Sequence, residues 1–224
     1  MHKPATIVFD LDGTLIDSAP DLTEALNRVL DEQDLPPVTT AAVRHMVGDG
    51  AVKMIERGFA AAGRPWDDGL PLALRDSFLA HYEDCMTDNT VAFDGVRGAL
   101  EALRGAGQTL AICTNKPEAM SETILSRLGL DHFFTSVLGG DSLAVRKPDP
   151  QHLLETISRA GGSREAAVMV GDSATDVGAA RNAGVPVVAV SFGYTRIAPA
   201  ELGADALIEH FDELLPALAT VSLR

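Results

Sequence analysis

The stretch from Val8 to Ser18, VFDLDGTLIDS, ends an apolar strand in two carboxylates, Asp10 and Asp12, with Gly13 and Thr14 directly after them. If extended geometry holds through Leu11, both carboxylates leave the same face, roughly 6–7 Å apart. Like charges at that range repel, and one carboxyl takes up a proton unless a cation lies between them. The other reading is a strand followed by an acidic turn, since Asp and Gly are turn formers. These eleven residues leave both readings open.

A chain of 224 residues, 46% of them hydrophobic, is long enough for one large α/β domain or for a core with a smaller insert. The formal net charge of −14 argues against nucleic acid or an anionic membrane as partner, because both are bound by a surplus of Lys and Arg. A phosphate can still be held locally, through a metal and a few placed cations. Cys85 and Cys113 make no disulfide framework, and Cys113, inside TLAIC, reads as a buried thiol. No signal peptide is read in MHKPATIVFD and no run approaches a membrane span, so the expectation is a cytoplasmic protein, monomer or homodimer.

From residue 95 onward, apolar runs alternate with helical patterns. TLAIC (109–113), SVLGG (136–140), AAVMVGD (166–172) and VPVVAVSF (185–192) read as strands buried on both faces, and ATIVFD at the start joins them by composition. Amphipathic helices are predicted near 96–105, 117–128, 150–160 and 174–183, with glycines at their ends. Such alternation predicts a Rossmann-like, doubly wound parallel sheet. Residues 19–88 break it with four stretches of helical spacing. The expected division is therefore a core of 1–16 plus 92–224 and a helical insert of 17–91.

Ligands of such sheets bind outside the carboxyl ends of the strands. Asp10 and Asp12 close the first strand, Thr114 and Asn115 close TLAIC, and GDSATD (171–176) closes AAVMV. Lys147, in VRKPDP, precedes the helix expected from Pro150. These residue types suit phosphoryl transfer through Mg²⁺, which takes hard oxygen ligands. Asp10 and Asp172 could bridge the ion, and Asp176 could supply another oxygen or hold a metal water. One carboxylate can attack phosphorus, and Asp12 can then protonate the leaving oxygen and later activate water. Thr114 and Lys147 would neutralise the transferring oxygens, with Asn115 orienting its neighbours.

The set DLDGT, TN, RKPDP and GDSATD, in that order, resembles the haloacid dehalogenase-like superfamily of phosphatases over nearly the whole chain. That resemblance implies Asp10 as nucleophile and Asp12 as general acid and base. It also implies a Mg²⁺ site of Asp10, Asp172 and the backbone carbonyl of Asp12, supported by Asp176. The insert then corresponds to the family's small cap. FDLDGTLIDS, TNKP and GDSATDVGAARNAGVPVVAVSFGY are most similar to bacterial phosphoglycolate phosphatases. The substrate this resemblance implies is a small phosphate ester, 2-phosphoglycolate, with sugar phosphates, pyrophosphate and a mutase reaction as alternatives.

Two features depart from that group. Asp49 stands in the middle of Gly48-Asp49-Gly50, where a carboxylate would repel an anionic substrate unless turned away, and Asp94 stands where relatives carry Pro. Gly48 and Gly50 are candidate substrate-binding positions through their backbone amides, with Arg44 or Lys53 as charge partners, against plain helix-break and solubility readings. Arg57 carries the same two readings. Thr14 reads as a turn cap, Gly13 as a backbone device and Asp149 as an N-cap. A receiver-type phospho-switch uses similar residues, but on about half this length and with the acceptor on a middle strand.

Overall fold

The computed structural model describes residues 5–66 and 71–221. His2, Leu70 at the start of the fourth helical stretch, and the outer ends of the expected core lie outside the described residues. The first strand, β1 (Thr6–Phe9), is followed by the two-residue β2 (Ile16–Asp17). Four helices come next: α1 (Ala19–Asp31), α2 (Thr40–Arg44), α3 (Ala51–Ala61) and α4 (Pro71–Cys85). The chain returns through β3 (Val91–Ala92), which pairs antiparallel with β2. It then alternates through α5 (Val96–Gly105), β4 (Thr109–Cys113), α6 (Glu118–Arg127), β5 (Ser136–Leu138), α7 (Pro150–Arg159) and β6 (Ala167–Gly171). Completing it are α8 (Ala174–Ala183), β7 (Val187–Val190), β8 (Ala206–Ile208) and α9 (Leu214–Thr220).

Six strands form one parallel sheet in the order β5-β4-β1-β6-β7-β8. Thr6 sits level with Thr109 on one side and Ala167 on the other, so β1, β4 and β6 end together. Their continuous apolar runs follow from cover on both faces. Ile7, Phe9, Leu110, Ile112 and Val170 join one core with α5, α6 and α9. Val8, Ala111, Met169 and Ala189 join the other with α7 and α8. The chain steps outward from β1 through β4 and β5, then through β6, β7 and β8 on the other side. This reversal opens a crevice at the carboxyl ends of β1, β4 and β6.

The predicted doubly wound sheet and the helical stretch after β1 are both present. The expected SVLGG strand stops at Leu138, because at Gly139 and Gly140 the chain presses on backbone: an added Cβ would lie 2.2 Å from Glu118 N and 2.5 Å from Asn115 O. β8, β2 and β3 carry too few residues to show a pattern. α2 keeps only five residues of its expected eight-residue stretch. Among the described residues no helix is long and apolar enough to cross a membrane.

One buried acid fastens the two chain crossings. Asp21, in the first turn of α1 and 0% exposed, accepts hydrogen bonds from Asn89 N (3.0 Å), Asn89 Nδ2 (3.0 Å), Thr90 N (2.8 Å) and Thr90 Oγ1 (2.7 Å). Removing the acceptor strands the buried N–H and hydroxyl of Thr90. Asp21→Ala is therefore predicted to lower the unfolding free energy by about 2–4 kcal/mol. Urea denaturation checks this, and an unshifted midpoint would contradict the clamp.

Candidate active site

Asp10 follows β1 but remains in the sheet, its N–H donating to Val170 O at 2.9 Å. Asp172 follows β6, and Thr114 and Asn115 follow β4. The register of three parallel strands thus delivers all four side chains to one crevice. Gly13 closes the turn across it with φ +81°, where an added Cβ would lie 2.5 Å from Asp172 Oδ2 and 2.9 Å from the Tyr194 ring. Only glycine fits so near a carboxylate at positive φ.

One oxygen each of Asp10, Asp172 and Asp176 lies within 4.8 Å of the others, and all three residues are buried. Lys147, 2% exposed, places Nζ 2.9 Å from Asp10 Oδ1 and 2.6 Å from Asp176 Oδ1. Asp176 also caps its own helix: its Oδ2 accepts from Ser173 N (3.0 Å), Ser173 Oγ (2.6 Å) and Asp172 N (3.2 Å). Asp172 accepts from Tyr194 N (2.6 Å) and from the Thr14 hydroxyl (3.0 Å), so Thr14 is more than a turn cap.

Three carboxylates against one ammonium leave surplus negative charge out of water. Burial pushes Asp10 up to about 6 although Lys147 pulls it down. Burial, then repulsion from Asp176 and Asp10, raises Asp172 well above the carboxylate range. For Lys147, burial would lower the pKa, but Asp10 and Asp176 outweigh it and raise it. A set of hard oxygens with excess negative charge fits a hard divalent cation.

Asp12 stands apart from this cluster. Its carboxylate accepts from Ser18 Oγ at 2.5 Å and from Lys116 Nζ at 2.9 and 3.0 Å. The two acids of DLDGT therefore do not share one cation between them: Asp10 has Lys147 and Asp12 has Lys116. Lys116 is 7% exposed, and its Nζ also donates to the Tyr82 hydroxyl (2.8 Å) and lies 4.4 Å from that ring's centroid. Sequence reasoning passed over both residues. The available signals were the lysine directly after Thr114-Asn115 and a tyrosine on an apolar helix face, whose hydroxyl needs a partner when buried.

Between the strand ends and the insert lies a cavity of about 60 Å³, with Asp10, Asp12, Thr114 and Asn115 on one side. Val47, Gly48, Met54, Phe78 and Leu79 face them from the insert. Asn115 Nδ2 joins the two sides, donating to Gly48 O (2.9 Å) and to Lys147 O (3.0 Å). Thr114 Oγ1 accepts from Lys116 N at 3.2 Å. Gly48 and Gly50 line the cavity at φ +109° and +88°, and Gly50 approaches Arg146 Nη1 so closely that an added Cβ would lie 2.7 Å from it.

The cations expected to face the substrate from the insert are elsewhere. Arg44 pairs with Asp17 at 2.5 Å and Lys53 with Glu56 at 2.6 Å, and neither lines the cavity. Arg57 bonds Met46 O and Asp49, and Asp49 also meets Arg196 at 2.8 Å. Burial would raise the Asp49 carboxyl, but these two arginines outweigh it and hold it below its ordinary value. Its charge is therefore turned from the cavity and answered. Asp149 caps α7, accepting from Gln151 N at 2.9 Å.

The family model for haloacid dehalogenase-like hydrolases matches residues 7–190. A phosphoglycolate phosphatase of Mesorhizobium japonicum is 48% identical over 224 residues, covering 100% of this chain and 98% of that protein. A phosphoglycolate phosphatase of Caulobacter vibrioides is 46% identical over 217 residues, covering 97% and 92%. Among solved structures, that of a predicted phosphoglycolate phosphatase from Haemophilus somnus aligns with a TM-score of 0.89 at 32% identity, covering 96% of this chain and 98% of that one.

The raised Asp10 pKa has a definite sign. The folded protein binds this proton more tightly than the unfolded chain, so its contribution to stability falls as pH rises from the ordinary 3.8 through about 6. A cation on the ionised carboxylates offsets that loss. The rise in Tm on adding Mg²⁺ is thus expected to be larger at about pH 7.5 than at about pH 5. Unchanged Tm at the higher pH would contradict a metal role for this cluster.

Proposed function

The chain belongs to the haloacid dehalogenase-like hydrolase family, and on that premise we propose that it hydrolyses 2-phosphoglycolate to glycolate and inorganic phosphate. The observation that carries the reading is the separate neutralisation of two neighbouring acids, Asp10 by Lys147 at 2.9 Å and Asp12 by Lys116 at 2.9 Å. One acid can then act as nucleophile while the other moves protons.

Asp10 attacks phosphorus, the bond from phosphorus to the ester oxygen breaks, and Asp12, which enters the step carrying the proton taken up in the preceding turnover, gives it to that oxygen. Asp12, now a carboxylate, takes a proton from the water whose oxygen attacks the aspartyl-phosphate. The phosphorus–Asp10 bond breaks, freeing Asp10 and inorganic phosphate. Thr114 and Lys147 donate to the transferring oxygens, where charge accumulates in the transition state, while Asn115, whose amide hydrogens go to Gly48 O and Lys147 O, orients its neighbours. Asp10, Asp172 and the backbone carbonyl of Asp12 would hold Mg²⁺, with Asp176 in support, and the ion when bound supplies positive charge to those oxygens.

In this reading residues 17–91 act as a cap on a core of 1–16 plus 92–224. Gly48 and Gly50 offer backbone amides to the substrate, and closure excludes water.

Initial rates on 2-phosphoglycolate, hexose phosphates and pyrophosphate test the proposal. The highest kcat/KM is expected for 2-phosphoglycolate, lost in EDTA and restored by Mg²⁺. Faster turnover of a hexose phosphate, or full activity in EDTA, would overturn it.

A further inference from the structure

If the substrate carries a second anionic group, something lining the cavity must receive it. Among the described residues lining that cavity, Lys116 is the only one with a cationic side chain. The remaining wall is largely apolar, through Leu22, Met54, Phe78, Leu79 and Met120. Burying a carboxylate against such a wall without a partner is costly.

The ammonium of Lys116 is bound by two groups, the Asp12 carboxylate at 2.9 and 3.0 Å and the Tyr82 hydroxyl at 2.8 Å. Its three N–H donors meet both Asp12 oxygens and the Tyr82 hydroxyl, and the one on the Asp12 oxygen that turns to the ester oxygen is released to a ligand. The position is also a ruler. To protonate the ester oxygen, Asp12 must hydrogen-bond it, and Lys116 already hydrogen-bonds Asp12. Ester oxygen and ammonium are then neighbours of one carboxylate, roughly 4–6 Å apart by ordinary hydrogen-bond lengths. A carboxylate on the carbon that bears the ester oxygen falls between them.

We infer that Lys116, steadied by Tyr82, is the specificity-determining residue that receives the substrate's carboxylate and selects phosphate esters of α-hydroxy acids. The inference rests on the phosphoglycolate reading and adds to it the group that recognises the acid. It replaces Arg44 and Lys53 in that role, since both are paired away from the cavity. Tyr82 lies on the insert and Lys116 on the sheet side, so the receptor is complete only when the two meet. An exposed lysine would offer a hydrated, mobile charge; this one is desolvated and aimed.

The test compares 2-phosphoglycolate with ethyl phosphate, which has a methyl group in place of the carboxylate, in the wild type and in Lys116→Met. Lys116→Gln is run beside it in case Met at this site prevents folding, and circular dichroism checks both. The expected result is a loss in kcat/KM on 2-phosphoglycolate at least about tenfold greater than on ethyl phosphate, the size of a lost charge-assisted hydrogen bond. Competitive inhibition by glycolate should weaken in parallel while inhibition by inorganic phosphate persists. Equal losses on both esters would mean that Lys116 serves only Asp12, and would overturn the inference while leaving the phosphatase reading intact. No preference for 2-phosphoglycolate over ethyl phosphate in the wild type would overturn the substrate reading, and this inference with it.

Discussion

Asp10, Asp172 and Asp176 are buried with an oxygen of each within 4.8 Å of the others, and a single ammonium, that of Lys147, lies among them. Much of the surrounding structure exists to make that arrangement tolerable. Three strand ends bring the acids together, Gly13 clears a path for the turn above Asp172, and Tyr194 N and Thr14 Oγ1 donate to it. Ser173, just ahead of α8, donates its N–H and hydroxyl to Asp176. What these donors do not offset is the surplus negative charge. The cluster is poised for positive charge from outside the protein, whether a cation or a phosphorus centre surrounded by cations.

A second ion pair solves a different problem. In the proposed mechanism Asp12 must be near Asp10 yet carry its own proton traffic, and Lys116 gives it a separate counter-charge. Because Lys116 also bonds Tyr82, 34 positions earlier on α4, this pair reaches from the sheet into the insert. Tyr194 makes a comparable link on the other side: its N–H meets Asp172, while its hydroxyl donates to Asp17 at 2.5 Å and accepts from Ala19 N at 3.0 Å where the chain leaves for the insert. The position of the helices above the crevice is thereby tied to the groups inside it.

The sheet was legible in the sequence because strands covered on both faces are continuous apolar runs, and β1, β4 and β6 read TIVF, TLAIC and AVMVG. The crevice was legible because each polar motif stands at the end of such a run. Pairings made by chain segments far apart were not. Arg44 and Arg57 look alike as free cations of a helical stretch, and only their contacts with Asp17 and Asp49 separate them from the cavity, whereas Lys53 pairs with Glu56 one turn along its own helix. Asp21 reads as an ordinary acid near a helix start, yet its acceptors serve Asn89 and Thr90. Lys116 stood in plain view beside Thr114 and Asn115, but its burial depends on Tyr82 arriving from another part of the chain.

The account turns on Asp10 being the group that takes the phosphoryl, with Asp12 completing the cycle. Acid-quench mass spectrometry of Asp12→Asn after mixing with acetyl phosphate and Mg²⁺ tests this most directly, because the acetate leaving group needs no proton from the enzyme. The account predicts a phosphoryl adduct that accumulates on the peptide carrying Asp10 and disappears in Asp10→Asn. An adduct on any other residue, or turnover of acetyl phosphate with no phosphoenzyme at all, would contradict it.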